Sequence, residues 1–262
     1  MIEILGQTAA FAACIKPVGT ASQGEDPESL PQLLKQQLGT AVYPVHRLDQ
    51  AVGGVMVFTK TPQAAAKLSR EIAENRLQKE YLAVISGAPE ETCGELRDLL
   101  FHDRFKNKTY VVSRARKGVK EASLSYRVLA NREGQSLVHV RLHTGRTHQI
   151  RVQFASRGWP LLGDGKYGSR KNAAGPALWS CAVAFRLGLQ ILRSAAADGR
   201  LGRVWRGTGR AGYYLKSSSE NQTTRLPFIK SMPCFSARSV TKIPWLSTQG
   251  NIRSGWRQGA SG

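Results

Sequence analysis

Apolar and polar positions change rhythm several times along the 262 residues, and each change predicts an element. In "VGGVMVFTK" residues 55–58 form an unbroken apolar run, the pattern of a buried strand. Thr61-Pro62 follows, a hydroxyl that can cap a helix and a proline suited to its first position. In the next stretch, "QAAAKLSREIAENR", Ala65, Leu68 and Ile72 share one helical face. "KEYLAVISG" reads as another strand. In "SLVHVRLHTG", Val138, Val140 and Leu142 face one side while His139, Arg141 and His143 face the other, which predicts a half-buried strand with a basic outer face. In "GRTHQIRVQFASRGWP", Thr147 can cap a helix whose Ile150 and Phe154 face the core, with His148 and Arg151 on the adjoining face. "LLGDGKYGS" reads as a glycine-punctuated turn and lacks the spacing of a phosphate loop. Strands and helices mix without a regular βαβ rhythm, so an α+β fold is expected rather than a doubly wound sheet.

Composition narrows the class. The chain is 41% apolar, enough for a sizeable core, and carries a formal charge of +20 with a pI near 10.4. Such a balance points to a polyanionic partner, RNA or DNA before an anionic membrane surface. No apolar run approaches the ~20 residues of a spanning helix. The start, "MIEILGQTAAFAACIKP", lacks the basic opening and longer apolar stretch of a signal peptide, so a cytoplasmic protein is expected. Cys14, Cys93, Cys181 and Cys234 stand far apart with no CxxC pair or nearby histidine, and are expected to be reduced structural thiols with no metal. Charge is uneven: residues 186–262 hold 13 Lys/Arg against 2 Asp/Glu, with 10 Gly, 10 Ser and 10 Arg. The chain therefore divides into a body of 1–185 and a basic, aperiodic tail of 186–262, expected to be poorly ordered.

One stretch raises a chemical question. "YPVHRLDQAVGGVMVFTK" sets Arg47 and Asp49 at the lip of a buried strand, where charge is costly unless paired. The residues around it answer in part. "HRLDQAVGGVMVFTK", "LQKEYLAVISG" and "TGRTHQIRVQFASRGWPLLGDGKYG" occur in that order after "IKPVGT". Together they resemble the catalytic domain of the RluA-type RNA pseudouridine synthases, over about residues 10–185.

That resemblance implies a pseudouridine synthase catalytic fold, a mixed, mainly antiparallel sheet flanked by helices. It implies isomerisation of uridine to pseudouridine in ribosomal or transfer RNA, by base flipping, cleavage from ribose C1′ and rejoining through C5, with no cofactor and no metal. It assigns the essential Asp to Asp49, the active-site aromatic to Tyr81 and the basic partner of the Asp to Arg151. It gives Arg47 the role of filling the stack left by the flipped uridine. The remaining RNA-binding candidates are Lys16, His46, Arg146 and His148. Lys16 is expected as a surface lysine or phosphate contact, and the two histidines as structural groups rather than proton-transfer agents. A base is needed late at C5, and Asp49 and Tyr81 are the two candidates for it. A monomer is expected, without a small RNA-binding domain ahead of Lys16.

The chain departs from the family pattern twice. Val52-Gly53-Gly54 stands where Thr-Ser-Gly is common, and the tight turn is expected to survive. Beyond "ALWSCAVAF" the usual closing stretch is missing; the tail reads either as an RNA-binding extension or as translation in a shifted frame. Rival functions are an inactive RNA-binding derivative, a DNA-binding regulator, which lacks any helix-turn-helix or zinc-finger pattern, and a retaining glycosidase, which needs a second catalytic carboxylate.

Overall fold

The computed structural model describes residues 1–170, 175–187, 190–195 and 214–216, with side chains through Phe185. Chain order is β1 (Ile4–Gln7), β2 (Phe11–Lys16), α1 (Leu30–Leu38), β3 (Tyr43–Pro44), β4 (Gly53–Thr59), α2 (Pro62–Ala73), β5 (Gln78–Ser86), β6 (Cys93–Asp103), β7 (Lys108–Val112), β8 (Val119–Arg132), β9 (Gln135–Leu142), α3 (Gln149–Ala155), a 3-10 turn (Gly165–Tyr167), β10 (Leu178–Leu187), β11 (Gln190–Ala195) and β12 (Tyr214–Lys216). The strands form one sheet in the order β1-β2-β4-β10-β5-β9-β8-β6-β7, with β3 on β4 and β11 on β10. Among the described residues only β4 and β10 pair in parallel; the other pairings are antiparallel. This is the α+β, mainly antiparallel architecture expected.

β4 explains the apolar run. All seven of its positions are buried, because both faces of the strand meet hydrophobic cores. Met56 and Phe58 point into the larger core, and Val55 and Val57 into a second. The glycines before the run have a packing reason. Gly53 and Gly54 lie opposite Trp179 and Ser180 in the parallel pairing, and a Cβ on Gly54 would overlap the Ser180 backbone. Gly54 also has φ +123°, a conformation that side chains disfavour.

α2 begins as expected, with the Thr61 hydroxyl accepting from the Ala64 N–H at 3.2 Å and Pro62 in the first turn. Its buried stripe is Ala64 and Leu68 rather than Ala65, with Ile72 packed behind. The stripe thus runs at a strict four-residue spacing, and only its first member differs from the expected one. β9 alternates as expected: Val138 and Val140 are fully buried, His139 and Arg141 only partly.

α3 corrects two expectations. Its N-cap is His148, in the left-handed region at φ 53°, and not Thr147. Thr147 is already engaged, its carbonyl accepting from Thr109 Oγ1 and its hydroxyl from Arg47. The helix is also buried nearly all round, from Gln149 to Phe154, rather than on one stripe. Phe154 packs edge-on against Tyr126 at 5.7 Å in the main core, while Gln153 on another side bonds Asp98 at 2.7 Å. A short helix sunk in this way fixes its side chains firmly, which matters for Arg151.

Past Phe185, β10 continues to Leu187, β11 pairs with it from Gln190 to Ala195, and β12 pairs with β11. The rest of the basic tail, Cys234 included, lies outside the described residues. We keep the division near Phe185, and the two readings of the tail, as proposals. No helix among the described residues is long and apolar enough to cross a membrane.

Candidate active site

Asp49 sits in the loop between β3 and β4. Leu48 and Val52 on either side are buried in the main core, and the Val52 N–H closes a tight turn on the Asp49 carbonyl at 2.9 Å. The turn survives without the Thr-Ser pair. Anchored on both sides, the loop holds the Asp49 carboxylate at the rim, 22% exposed.

Arg151 meets it from α3, as expected. Its Nη1 donates to Asp49 Oδ2 at 3.1 Å. The rest of the guanidinium is given to a residue that sequence reading placed in a simple turn. Nε and Nη2 donate to the two oxygens of Asp164 at 2.7 and 2.8 Å, and the Asp164 side chain is 1% exposed. Burial would lower the Arg151 pKa, but the paired carboxylates of Asp164 and Asp49 outweigh it, and the net shift is upward. A signal for Asp164 was present in "LLGDG": a carboxylate beside an apolar pair must find a partner if it is buried.

Tyr81 lies on β5, paired in register with Val140 and Ser180, and is buried in the main core. Burial first, then the Asp49 charge, push its phenol well above the ordinary range. It therefore stays protonated near neutral pH and is unsuited to act as a phenolate base.

His148 is buried, with Nε2 3.5 Å from Asp49 Oδ2. Its Nδ1 lies 2.9 Å from the Tyr167 hydroxyl, which accepts from the Thr109 N–H at 2.8 Å. Burial, opposed by Asp49 and aided by Arg151, brings the imidazole down to about 4, so it is neutral at pH 7. Tyr167 and Thr109 carried no usable signal, because their role depends on β7 and the 3-10 turn meeting in space.

The other candidates fall in two groups. Arg47 and Arg146 are exposed at the mouth; Arg47 Nη2 reaches Thr147 Oγ1 at 3.3 Å, and Arg146 Nε donates to the Glu121 carbonyl at 2.9 Å. Lys16 and His46 are turned inward. Lys16 is no surface lysine: it is fully buried, and its ammonium donates to the carbonyls of Pro17 at 2.8 Å and Gln50 at 3.1 Å. In that position it ties β2 to the residue after Asp49. His46 Nε2 accepts from the Val57 N–H at 3.1 Å, and burial, with the nearby Lys79 charge, lowers its pKa to about 3. Both are struts of the Asp49 loop.

Two adjoining cavities open on Arg47, Leu48, Asp49 and His148. The outer one, about 220 Å³, also touches Ser22, Asn107 and Thr147. The inner one, about 60 Å³, ends on Tyr81, Arg151 and Leu178. Asp49 thus lines both cavities, and the smaller one sets Tyr81, Leu142, Ile150 and Leu178 beside Arg146 and Arg151. Among the described residues no cluster of three or more His, Cys, Asp or Glu could hold a metal ion.

Comparison with known proteins places this site in context. The model of the family described as RNA pseudouridylate synthase matches residues 10–156. An uncharacterized RNA pseudouridine synthase of Aquifex aeolicus is 39% identical over 131 residues, 49% of this chain and 40% of that protein. The ribosomal large subunit pseudouridine synthase D of Haemophilus influenzae is 39% identical over 134 residues, 50% of this chain and 40% of that one. The matches to both relatives thus span well under half of their length. The solved structure of human RNA Pseudouridylate Synthase Domain Containing 1 superimposes with a TM-score of 0.68 at 20% identity, covering 78% of this chain and 86% of that one. Domain Containing 4 gives 0.65 at 22%, covering 76% and 89%. The two structures share the fold. With the family model matching more than half of its residues, the chain belongs to the RNA pseudouridylate synthase family.

Proposed function

We propose that the chain isomerises uridine to pseudouridine in structured RNA, with Asp49 as the essential group. The observation that carries the reading is the Asp49 carboxylate, paired with Arg151 and lining two adjoining cavities together with Arg47. When uracil leaves ribose C1′, positive charge develops on the sugar, and a carboxylate at that point attacks or stabilises it. The smaller cavity is lined by Tyr81, Ile150 and Leu178, suited to hold a flipped base away from water. Neutral Tyr81 serves there as wall and hydroxyl donor. After the base turns and C5 joins C1′, Asp49 takes the C5 proton.

Extruding the uridine costs a few kcal/mol, and Arg47 at the mouth is placed to fill the stack it leaves. Arg146 and the other exposed cations supply phosphate contacts. The names of the relatives favour ribosomal RNA of the large subunit as substrate. The reaction needs no cofactor, and the setting is the cytoplasm, on a monomer. Mapping pseudouridine in total RNA from cells with and without the gene tests the proposal. Loss of one or a few sites supports it; an unchanged map contradicts it.

A further inference from the structure

Both neighbours of Asp49 reach the same oxygen. Arg151 Nη1 donates to Oδ2 at 3.1 Å and His148 Nε2 lies 3.5 Å from Oδ2, while Oδ1 has no hydrogen bond among the described residues. Both neighbours are held in turn by one four-residue segment. Asp164, at the start of the 3-10 turn, takes the Nε–H and one Nη2–H of Arg151, and the guanidinium meets Asp49 through Nη1. Tyr167, at the end of the same turn, touches His148 Nδ1 at 2.9 Å, and its ring lies 5.1 Å from the Arg151 guanidinium. The segment is itself fixed. The N–H groups of Tyr167 and Ser169 both donate to the Asp164 carbonyl at 3.0 Å, and Lys166 Nζ donates to the Asn107 carbonyl at 3.1 Å.

We infer that Asp164 and Tyr167 are positioning residues: through Arg151 and His148 they direct two donors onto Oδ2 of Asp49 and leave Oδ1 as the oxygen presented to ribose C1′. The inference rests on the proposed reaction for its consequence, but its geometry stands apart from it.

Proton placement follows from the partners. A neutral imidazole has one N–H, and the carboxylate beside Nε2 draws it there. Nδ1 is then a lone pair, and the Tyr167 hydroxyl, which already accepts from Thr109, donates to it. A bidentate Arg151–Asp49 pair would have engaged both carboxylate oxygens and left none for substrate. By holding the Nε/Nη2 edge, Asp164 fixes the angle at which the guanidinium meets Asp49, and the contact made there is a single one, from Nη1 to Oδ2. His148 stands in the left-handed region at φ 53°, where the chain turns into α3, with its ring nitrogen Nε2 3.5 Å from Oδ2.

Three measurements test the inference. In wild type, ¹⁵N NMR at pH 7 should find His148 neutral with its proton on Nε2, and Tyr167→Phe should change the Nδ1 shift. A proton on Nδ1, or a doubly protonated ring, overturns the scheme whether or not the chain proves to be a synthase. In turnover assays Asp164→Asn and Tyr167→Phe should lower kcat ~10–100-fold, as expected for small misplacement of a reacting group, with KM within about threefold. A wild-type kcat in both, with Asp49→Asn inactive, contradicts the inference and leaves the proposed function standing. Finally, Tyr167→Phe added to His148→Asn should cost less than about a further twofold, because the two act in series. Full additivity contradicts the series. If Asp164→Asn does not fold, the Tyr167 variant and this cycle decide.

Discussion

The two sides of Asp49 are built differently. On the inner side Arg151, Asp164 and His148 are all less than 10% exposed, and each is held by hydrogen bonds or ion pairs to more than one partner. On the outer side Arg47 and Arg146 are exposed and touch the protein through one or two long or backbone contacts, and Phe105 projects fully into solvent beside Arg104 and Lys106. A catalytic group works best preorganised, since reorganisation at the moment of reaction raises the barrier. A surface that must accept a phosphate chain gains from loosely held cations, which contribute through charge and are sensitive to salt. In the proposed reaction the same residue type, arginine, serves both roles, and burial separates them.

Substitution on the inner side should have the largest effect. Arg151→Met strands Asp164, and breaking a buried pair of this kind costs ~3–5 kcal/mol. Turnover and melting temperature should both collapse; a variant that melts like wild type would show that the inner side is not the rigid half. On the outer side, Arg146→Ala should leave stability within about 0.5 kcal/mol of wild type. It should lower RNA affinity, and the log–log salt slope should become shallower by about 0.7 for one lost phosphate contact on a single strand. An unchanged slope would remove Arg146 from the phosphate-contacting rim.

How much of this contrast was legible depended on the range of each signal. Buried β4 announced itself through a continuous apolar run, and Thr61-Pro62 marked the start of α2, because both signals are local. Asp49, Tyr81 and Arg151 were found through ordered motifs, and the structure brings all three to one recess. Lys16 was misplaced because a lysine is ordinarily a surface residue. Here the Pro17 and Gln50 carbonyls, one of them 34 residues away, satisfy a fully buried ammonium. His148 was expected as a structural histidine beside Arg151 and also among the RNA-binding residues; it is buried, and its left-handed backbone has no composition signal. Asp164 was passed over because glycines on both sides made a turn a sufficient explanation.

A smaller effect separates the loop's internal struts from its chemistry. His46 and His148 titrate near 3 and 4 in the folded chain, below the ~6.5 of an unfolded histidine. Between those values the unfolded chain binds more protons, so stability present above pH 6.5 is lost as pH falls towards 4 and then 3. Urea unfolding at pH 7 and pH 4.5 should show that loss, and His46→Gln, whose amide oxygen can still accept from Val57, should reduce it. An equal loss in the variant would place the acid sensitivity elsewhere.

The most direct test of the account concerns Asp49 itself. Asp49→Asn keeps the shape of the side chain and removes the charge that the proposed reaction needs at C1′. Tritium release from RNA carrying uridine tritiated at C5 should fall by at least ~10³-fold, while RNA affinity stays within about tenfold of wild type. Release near the wild-type rate from the Asn variant would contradict the account at its centre.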